Sequence, residues 1–115
     1  MNLHASDVAI DLGSTNTLVY VKDRGVVLRE PTLVVVDADR RDHVLYVGEE
    51  AGYHRGRTRD ASEVVRPIEH GAIADFDTAK VLIRYFIRKA IGTNHFFRPK
   101  VLVSVPASLP ALSRR

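Results

Sequence analysis

The chain has 115 residues, enough for one small domain. Hydrophobic residues make up 45% and charged residues 27%, a globular balance that argues against disorder, and the net charge of +3 is too modest to predict nucleic-acid binding. There is no cysteine, which excludes disulfides and thiolate chemistry, and no run approaches the ~18 apolar residues of a membrane-spanning helix.

The first predicted elements are two paired strands, Val8–Leu12 and Thr17–Val21, followed by a third at Val26–Arg29 after the turn Asp23-Arg24-Gly25. Thr32–Val36 is a further β-branched run. A charged turn spans residues 37–43, and Val44–Val47 returns from it. Gly48–Arg55 reads as a short helix and residues 57–60 as a loop. The clearest helix is Thr78–Ile91, with Asp77 as its N-cap and Gly92 just past its end. Lys80, Arg84 and Arg88 form one stripe, while Val81, Leu82, Tyr85, Phe86 and Ile87 cover much of the rest, so this helix must pack on a sheet. Lys89 adds positive charge to the last turn, where the helix dipole favours it. Val101–Val105 is a continuous apolar strand of the kind found in parallel sheets.

Chemistry concentrates at the turn between the first two strands. The first strand carries Asp11 near its end, and Gly13 permits close approach of backbone to a ligand. Ser14, Thr15 and Asn16 then offer hydroxyls, an amide and successive backbone N–H groups, which suit phosphate oxygens. Asp11 has two readings: a carboxylate holding a hydrated Mg²⁺, or a strand-end side chain satisfied by turn N–H groups. Strand–turn–strand hairpins without any ligand are common, so the turn alone is weak evidence.

The surrounding residues are more specific. The run Ile10-Asp11-Leu12-Gly13 followed by Asn16-Thr17-Leu18-Val19-Tyr20-Val21-Lys22 resembles the first phosphate loop of the actin, sugar-kinase and heat-shock-chaperone ATPase superfamily. The most similar members are the MreB-type bacterial actin homologues. Gly25-Val26-Val27-Leu28, Glu30-Pro31, Val47-Gly48, Gly56-Arg57-Thr58, Arg66-Pro67 and Gly71-Ala72-Ile73-Ala74-Asp75-Phe76 continue the resemblance in order and spacing. Pro67-Ile68-Glu69-His70-Gly71 is also similar to the matching stretch of eukaryotic actin. The likeness runs from about Val8 to Arg115 and corresponds to the first third of an MreB-type chain.

The resemblance implies an α/β fold: an incomplete ribonuclease-H-like, actin-type ATPase core. Its parts would be an antiparallel three-strand meander, a crossover helix and a parallel fourth strand. The core would occupy residues 1–30 and 66–115, and a small outer subdomain would be inserted at 31–65. The fourth strand would keep an exposed edge and an uncovered apolar face. ATP with Mg²⁺ would be the cofactor, with Asp11, Gly13, Ser14, Thr15 and Asn16 at the phosphates and Asp11 reaching the metal through water. Partners would be further copies, or longer MreB-like filament subunits, and the inner face of the cytoplasmic membrane, but not nucleic acid. Phe96 and Phe97 are the expected membrane contact, set among Arg88, Lys89, Arg98 and Lys100. A cytoplasmic location agrees with Met1–Ser6, which has neither the basic region nor the apolar core of a signal peptide.

Departures from the family pattern bear on catalysis. MreB-type proteins place a water-polarising glutamate just before an Arg-Arg pair, and here that position is Ser113, whose neutral hydroxyl cannot serve as the base. Pro110 stands where the next helix would be starting. The expectation is a cell-shape, cytoskeletal protein with no catalytic residues of its own and no ATP hydrolysis alone. The alternatives are a fragment of a sugar-kinase-like or chaperone-like ATPase, and a nucleotide-independent membrane or protein adaptor. Glu69 and His70, adjacent in an extended segment, would point to opposite sides and form no catalytic dyad. The five histidines show no metal-ligand spacing. Arg55, Arg57, Arg59 and Arg66 read as exposed loop residues rather than phosphate contacts.

Overall fold

The computed structural model describes residues 7–56, 61–92 and 99–105. Three strands open the chain: β1 (Val8–Leu12), β2 (Asn16–Val21) and β3 (Gly25–Pro31). They form an antiparallel meander in which Ile10 faces Val19 and Thr17 faces Glu30, with a register shift between Val19 and Tyr20. The strand β9 (Val101–Ser104) joins β1 in parallel, giving the order β3-β2-β1-β9. Two hydrogen bonds pin its start: Val8 N–H donates to the Lys100 carbonyl, and Lys100 N–H donates to Asp7 Oδ1.

A second sheet follows in the chain. Strands β4 (Val34–Asp37), β5 (Val44–Val47) and β6 (Ser62–Val65) pair antiparallel in the order β5-β4-β6. Between β5 and β6 lies the helix α1 (Glu49–His54). The valine run of β4 is buried on both sides for a simple reason. Val34 and Val36 join the main core, while Val35 points the other way and packs with Leu33 and Ala51. The β-branched run begins its strand at Val34 rather than Thr32, because the backbone of Thr32 and Leu33 is committed elsewhere: Thr32 N–H goes to Thr15, and the Leu33 carbonyl accepts from Gly48.

A small hairpin, β7 (Ile68–Glu69) and β8 (Ala72–Ile73), turns at His70 and Gly71. His70 has a left-handed φ of 53°, so Glu69 and His70 belong to a strand end and a turn, not to one extended segment. The turn precedes α2 (Phe76–Ile91), which buries Thr78, Ala79, Leu82, Phe86 and Ala90 over the meander. The helix begins two residues earlier than its sequence predicts. Asp75, not Asp77, is the N-cap: its backbone is extended and its carboxylate accepts from Thr78 N–H at 3.0 Å. That bond is the main reason the Asp75 carboxyl is held below the usual carboxylate range, with burial opposing it and Arg41 assisting. The helix ends at Gly92, as expected.

One core joins these layers. Val8, Ile10, Leu12, Val19 and Val21 from the meander meet Leu82, Phe86 and Ala90 of α2, with Val34, Val36 and Val65 of the second sheet alongside. By contrast β9 is exposed along its whole length, and Leu102 is 69% accessible. Among the described residues β9 pairs only with β1, in parallel, and both the pairing and the open apolar edge agree with the sequence reading.

Candidate functional site

The turn between β1 and β2 is closed by its own backbone. Gly13 N–H donates to the Asn16 carbonyl at 3.1 Å, and the Thr15 carbonyl accepts from Thr32 N–H at 2.9 Å. A Cβ on Gly13 would lie 2.5 Å from the Asn16 oxygen, so glycine is required by the turn itself. The turn thus needs glycine on its own account, beside the expected close approach of a ligand. Among the described residues, the N–H groups of Ser14 and Thr15 donate to no protein acceptor. Two successive free donors in an exposed turn are suited to phosphate oxygens.

These donors border an open cleft of about 410 Å³, lined by Ser14, Thr15, Arg66, Ile68, Glu69 and His70. Arg66 leads out of β6 and His70 caps the β7–β8 hairpin, so the small hairpin forms the wall opposite the turn. Both side chains are exposed, and the Arg66 guanidinium can bring positive charge to an anion held by the turn, against the Glu69 carboxylate on the same wall. Arg66 is thus a candidate that sequence reasoning set aside; only its approach to Ser14 through the fold could have raised it. Gly13 and Asn16 shape the turn from behind without lining the cleft.

Asp11 also stands apart from the cleft wall. It sits near the carboxyl end of β1 beside Ser104 of β9, whose hydroxyl donates to Asp11 Oδ1 at 3.4 Å. No turn N–H is its partner, which removes the reading of Asp11 as a satisfied turn residue. The carboxyl ends of two parallel strands are a usual place for ligand groups in α/β sheets. No group of three or more acidic or histidine side chains gathers around a metal position among the described residues. One carboxylate completed by water and phosphate oxygens is, however, an ordinary way to hold Mg²⁺, so the donor set fits.

Behind the turn lies a buried polar system that the sequence reading did not anticipate. Thr17 and Thr32 share a hydroxyl hydrogen bond of 2.8 Å, and both are fully buried. On β3, the Glu30 carboxylate is only 3% exposed and is met by three donors. They are Lys89 Nζ at 2.7 Å, the Tyr85 hydroxyl at 2.8 Å and the Glu49 N–H at 2.9 Å. Burial works against ionisation of Glu30, but these hydrogen bonds outweigh it and hold the carboxyl below its ordinary value. The bond to Glu30 raises the Lys89 ammonium, and burial followed by Glu30 raises the Tyr85 hydroxyl. Gly48 completes the arrangement with a φ of 64° and with no room for a Cβ, which would lie 2.5 Å from Glu30 Oε1. Phe96, Phe97, Arg57, Arg59, Pro110 and Ser113 lie outside the described residues.

Comparison with known proteins points one way. The sequence model described as MreB/Mbl protein matches residues 5–115. The chain is 37% identical over 113 residues to the cell shape-determining protein Mbl of Bacillus cereus, an alignment that covers 98% of this chain and 34% of that one. It is 42% identical over 118 residues to the cell shape-determining protein MreB of Haemophilus influenzae, covering 98% of this chain and 33% of that one. Among solved structures it is similar to MreB5 of Spiroplasma citri bound to AMPPNP, with a TM-score of 0.72 and 29% identity over 93% of this chain and 32% of the other. The ADP-bound form of the same protein gives a TM-score of 0.69 at 30% identity. The chain therefore spans about a third of the length of the relatives it matches.

Proposed function

The chain belongs to the MreB/Mbl family, and from that premise we propose that it is the phosphate-loop third of an actin-like, cell-shape-determining ATP site. The carrying observation is the pair of unpartnered N–H groups of Ser14 and Thr15, residues that line one cleft with Arg66 and His70. In support, the two similar structures hold AMPPNP and ADP. In this reading Ser14 and Thr15 bind β- and γ-phosphate oxygens through backbone N–H, Gly13 and Asn16 hold the turn, and Asp11 takes a water of a phosphate-bound Mg²⁺. Magnesium would neutralise phosphate charge there. Residues 31–65 would act as the outer subdomain.

One phosphate turn supplies only part of the contacts a nucleotide needs, so binding to it should be weak. Calorimetry with Mg-ATP should give a dissociation constant no better than roughly millimolar, about −4 kcal/mol. Binding abolished by Asp11→Ala or Gly13→Ala supports the reading, whereas no binding at any accessible concentration overturns it. Micromolar binding would show that one turn is not the whole site.

The same proposal holds that this chain alone does not hydrolyse ATP, because Ser113 offers no base at the water position. Phosphate release should match a buffer blank. Its partners would be further copies or longer MreB-like subunits. Phe96 and Phe97, close in sequence to Arg88 and Lys89, would meet an anionic lipid surface. Flotation with anionic liposomes at low salt, lost in the double Phe96→Ser, Phe97→Ser variant, tests that contact. No helix among the described residues is long and apolar enough to cross a membrane.

A further inference from the structure

We propose that Glu30 is a positioning residue that ties the phosphate turn to helix α2, with the Glu30–Lys89 pair setting how Ser14 and Thr15 present their N–H groups. The proposal rests on the phosphate-binding reading above and adds a means of regulating that site.

The connection can be followed atom by atom. Lys89 and Tyr85 of α2 and the first N–H of α1 converge on the carboxylate of Glu30. In the register of the meander Glu30 stands opposite Thr17. Thr32, two residues further along the chain, donates its N–H to the Thr15 carbonyl and shares the hydroxyl bond with Thr17. Only Pro31 separates Glu30 from Thr32, and proline restricts the rotation that could absorb a displacement. A shift of Glu30 is therefore transmitted to the carbonyl of Thr15, a residue that lines the cleft and whose own N–H has no protein acceptor.

A buried carboxylate that loses a donor cannot stay where it is at no cost, since it must find water or another partner. Lys89 is the donor open to change. Its side chain is 40% exposed, and Glu49 at 3.8 Å is a second acceptor competing for it. Whatever draws Lys89 away from Glu30 loosens β3 at the point where it holds the turn.

The test uses the full chain and three forms: the parent, Lys89→Met and Lys89→Arg. Amide hydrogen exchange is read at Thr32, with Val35 in the second sheet as the control, and Mg-ATP is titrated against the amide signals of Ser14 and Thr15. In Lys89→Met, Thr32 exchange should rise about ten-fold while Val35 is unchanged, because the opening is local. The Mg-ATP concentration for half-maximal shift should rise roughly three-fold, about 0.65 kcal/mol by the relation between affinity and free energy. Lys89→Arg should restore both. Unchanged exchange at Thr32, or equal acceleration at Thr32 and Val35, overturns the coupling. If Lys89→Met does not fold, Tyr85→Phe removes a different donor and is read the same way. A parent chain whose Ser14 and Thr15 signals ignore Mg-ATP overturns the phosphate-binding reading, while exchange at Thr32 still decides the coupling.

Discussion

The hydroxyls of Thr17 and Thr32 meet at 2.8 Å in the interior, where both residues are fully buried. One donates and the other accepts, so each gives the other a partner. Thr32→Val should leave the Thr17 hydroxyl buried without that partner and cost about 1–3 kcal/mol in urea unfolding. The double variant Thr17→Val, Thr32→Val should be more stable than the sum of the two single losses, since the penalty arises from an orphaned group. Strict additivity would show that the pair does not interact.

Gly13→Ala should damage the turn before it affects any ligand. The added carbon would sit 2.5 Å from the Asn16 carbonyl, so the Gly13–Asn16 hydrogen bond must open. A loss of about 1–3 kcal/mol is expected, with the response to Mg-ATP lost as well. Full stability in this variant would mean that the turn relaxes freely.

Arg66→Ala separates binding from folding. The side chain is exposed, so stability should change by less than about 0.5 kcal/mol. Mg-ATP affinity should fall, because the cleft loses a positive charge facing Ser14 and Thr15. Equal affinity in the parent and the variant would place the phosphates away from this wall.

Acid should weaken the fold through Glu30. Its carboxyl titrates below its ordinary value in the folded chain, so the stability it contributes is present above the unfolded pKa of about 4.3 and is lost as pH falls through the depressed folded value. Urea midpoints should decline as pH drops below about 5. Glu30→Gln should be less stable than the parent at neutral pH and show a flatter decline, the remainder belonging partly to Asp75, whose carboxyl is also lowered. Lys89 is raised, so its share persists through neutral pH and is lost only in strong alkali. A decline of the same slope in Glu30→Gln would remove Glu30 from the acid response.

The helix cap gives a comparison between two neighbouring aspartates. Asp75→Ala should cost about 1 kcal/mol, because it removes the acceptor of Thr78 N–H. Asp77→Ala should cost less than half of that, since Asp77 only favours the first turn through the dipole. Equal costs would mean that the side-chain bond contributes nothing beyond charge.

Much of the chain could be read from sequence because the signals are local. The apolar alternation of Val8, Ile10 and Leu12 before a Gly-Ser-Thr-Asn turn gives β1 and, to within one residue, β2, and Val44–Val47 appears as predicted. The ordered series of short matches led to the MreB/Mbl family, and family likeness implied an antiparallel three-strand meander with a parallel fourth strand. That the fourth strand lies against β1 came from the structure.

Tertiary structure decided what depends on residues distant in the chain. Asp75 and Asp77 carry the same side chain two positions apart, and only the extended backbone of Asp75 makes it the cap. Arg66 and His70 gain meaning from the hairpin that places them opposite Ser14. Glu30 and Lys89 have no local pattern that links them. A charged residue near the end of a strand reads as surface until packing excludes water, and its partners are then chosen by whichever donors the neighbouring helices bring within reach. Local periodicity records which side of an element avoids water, but not which element will lie against it.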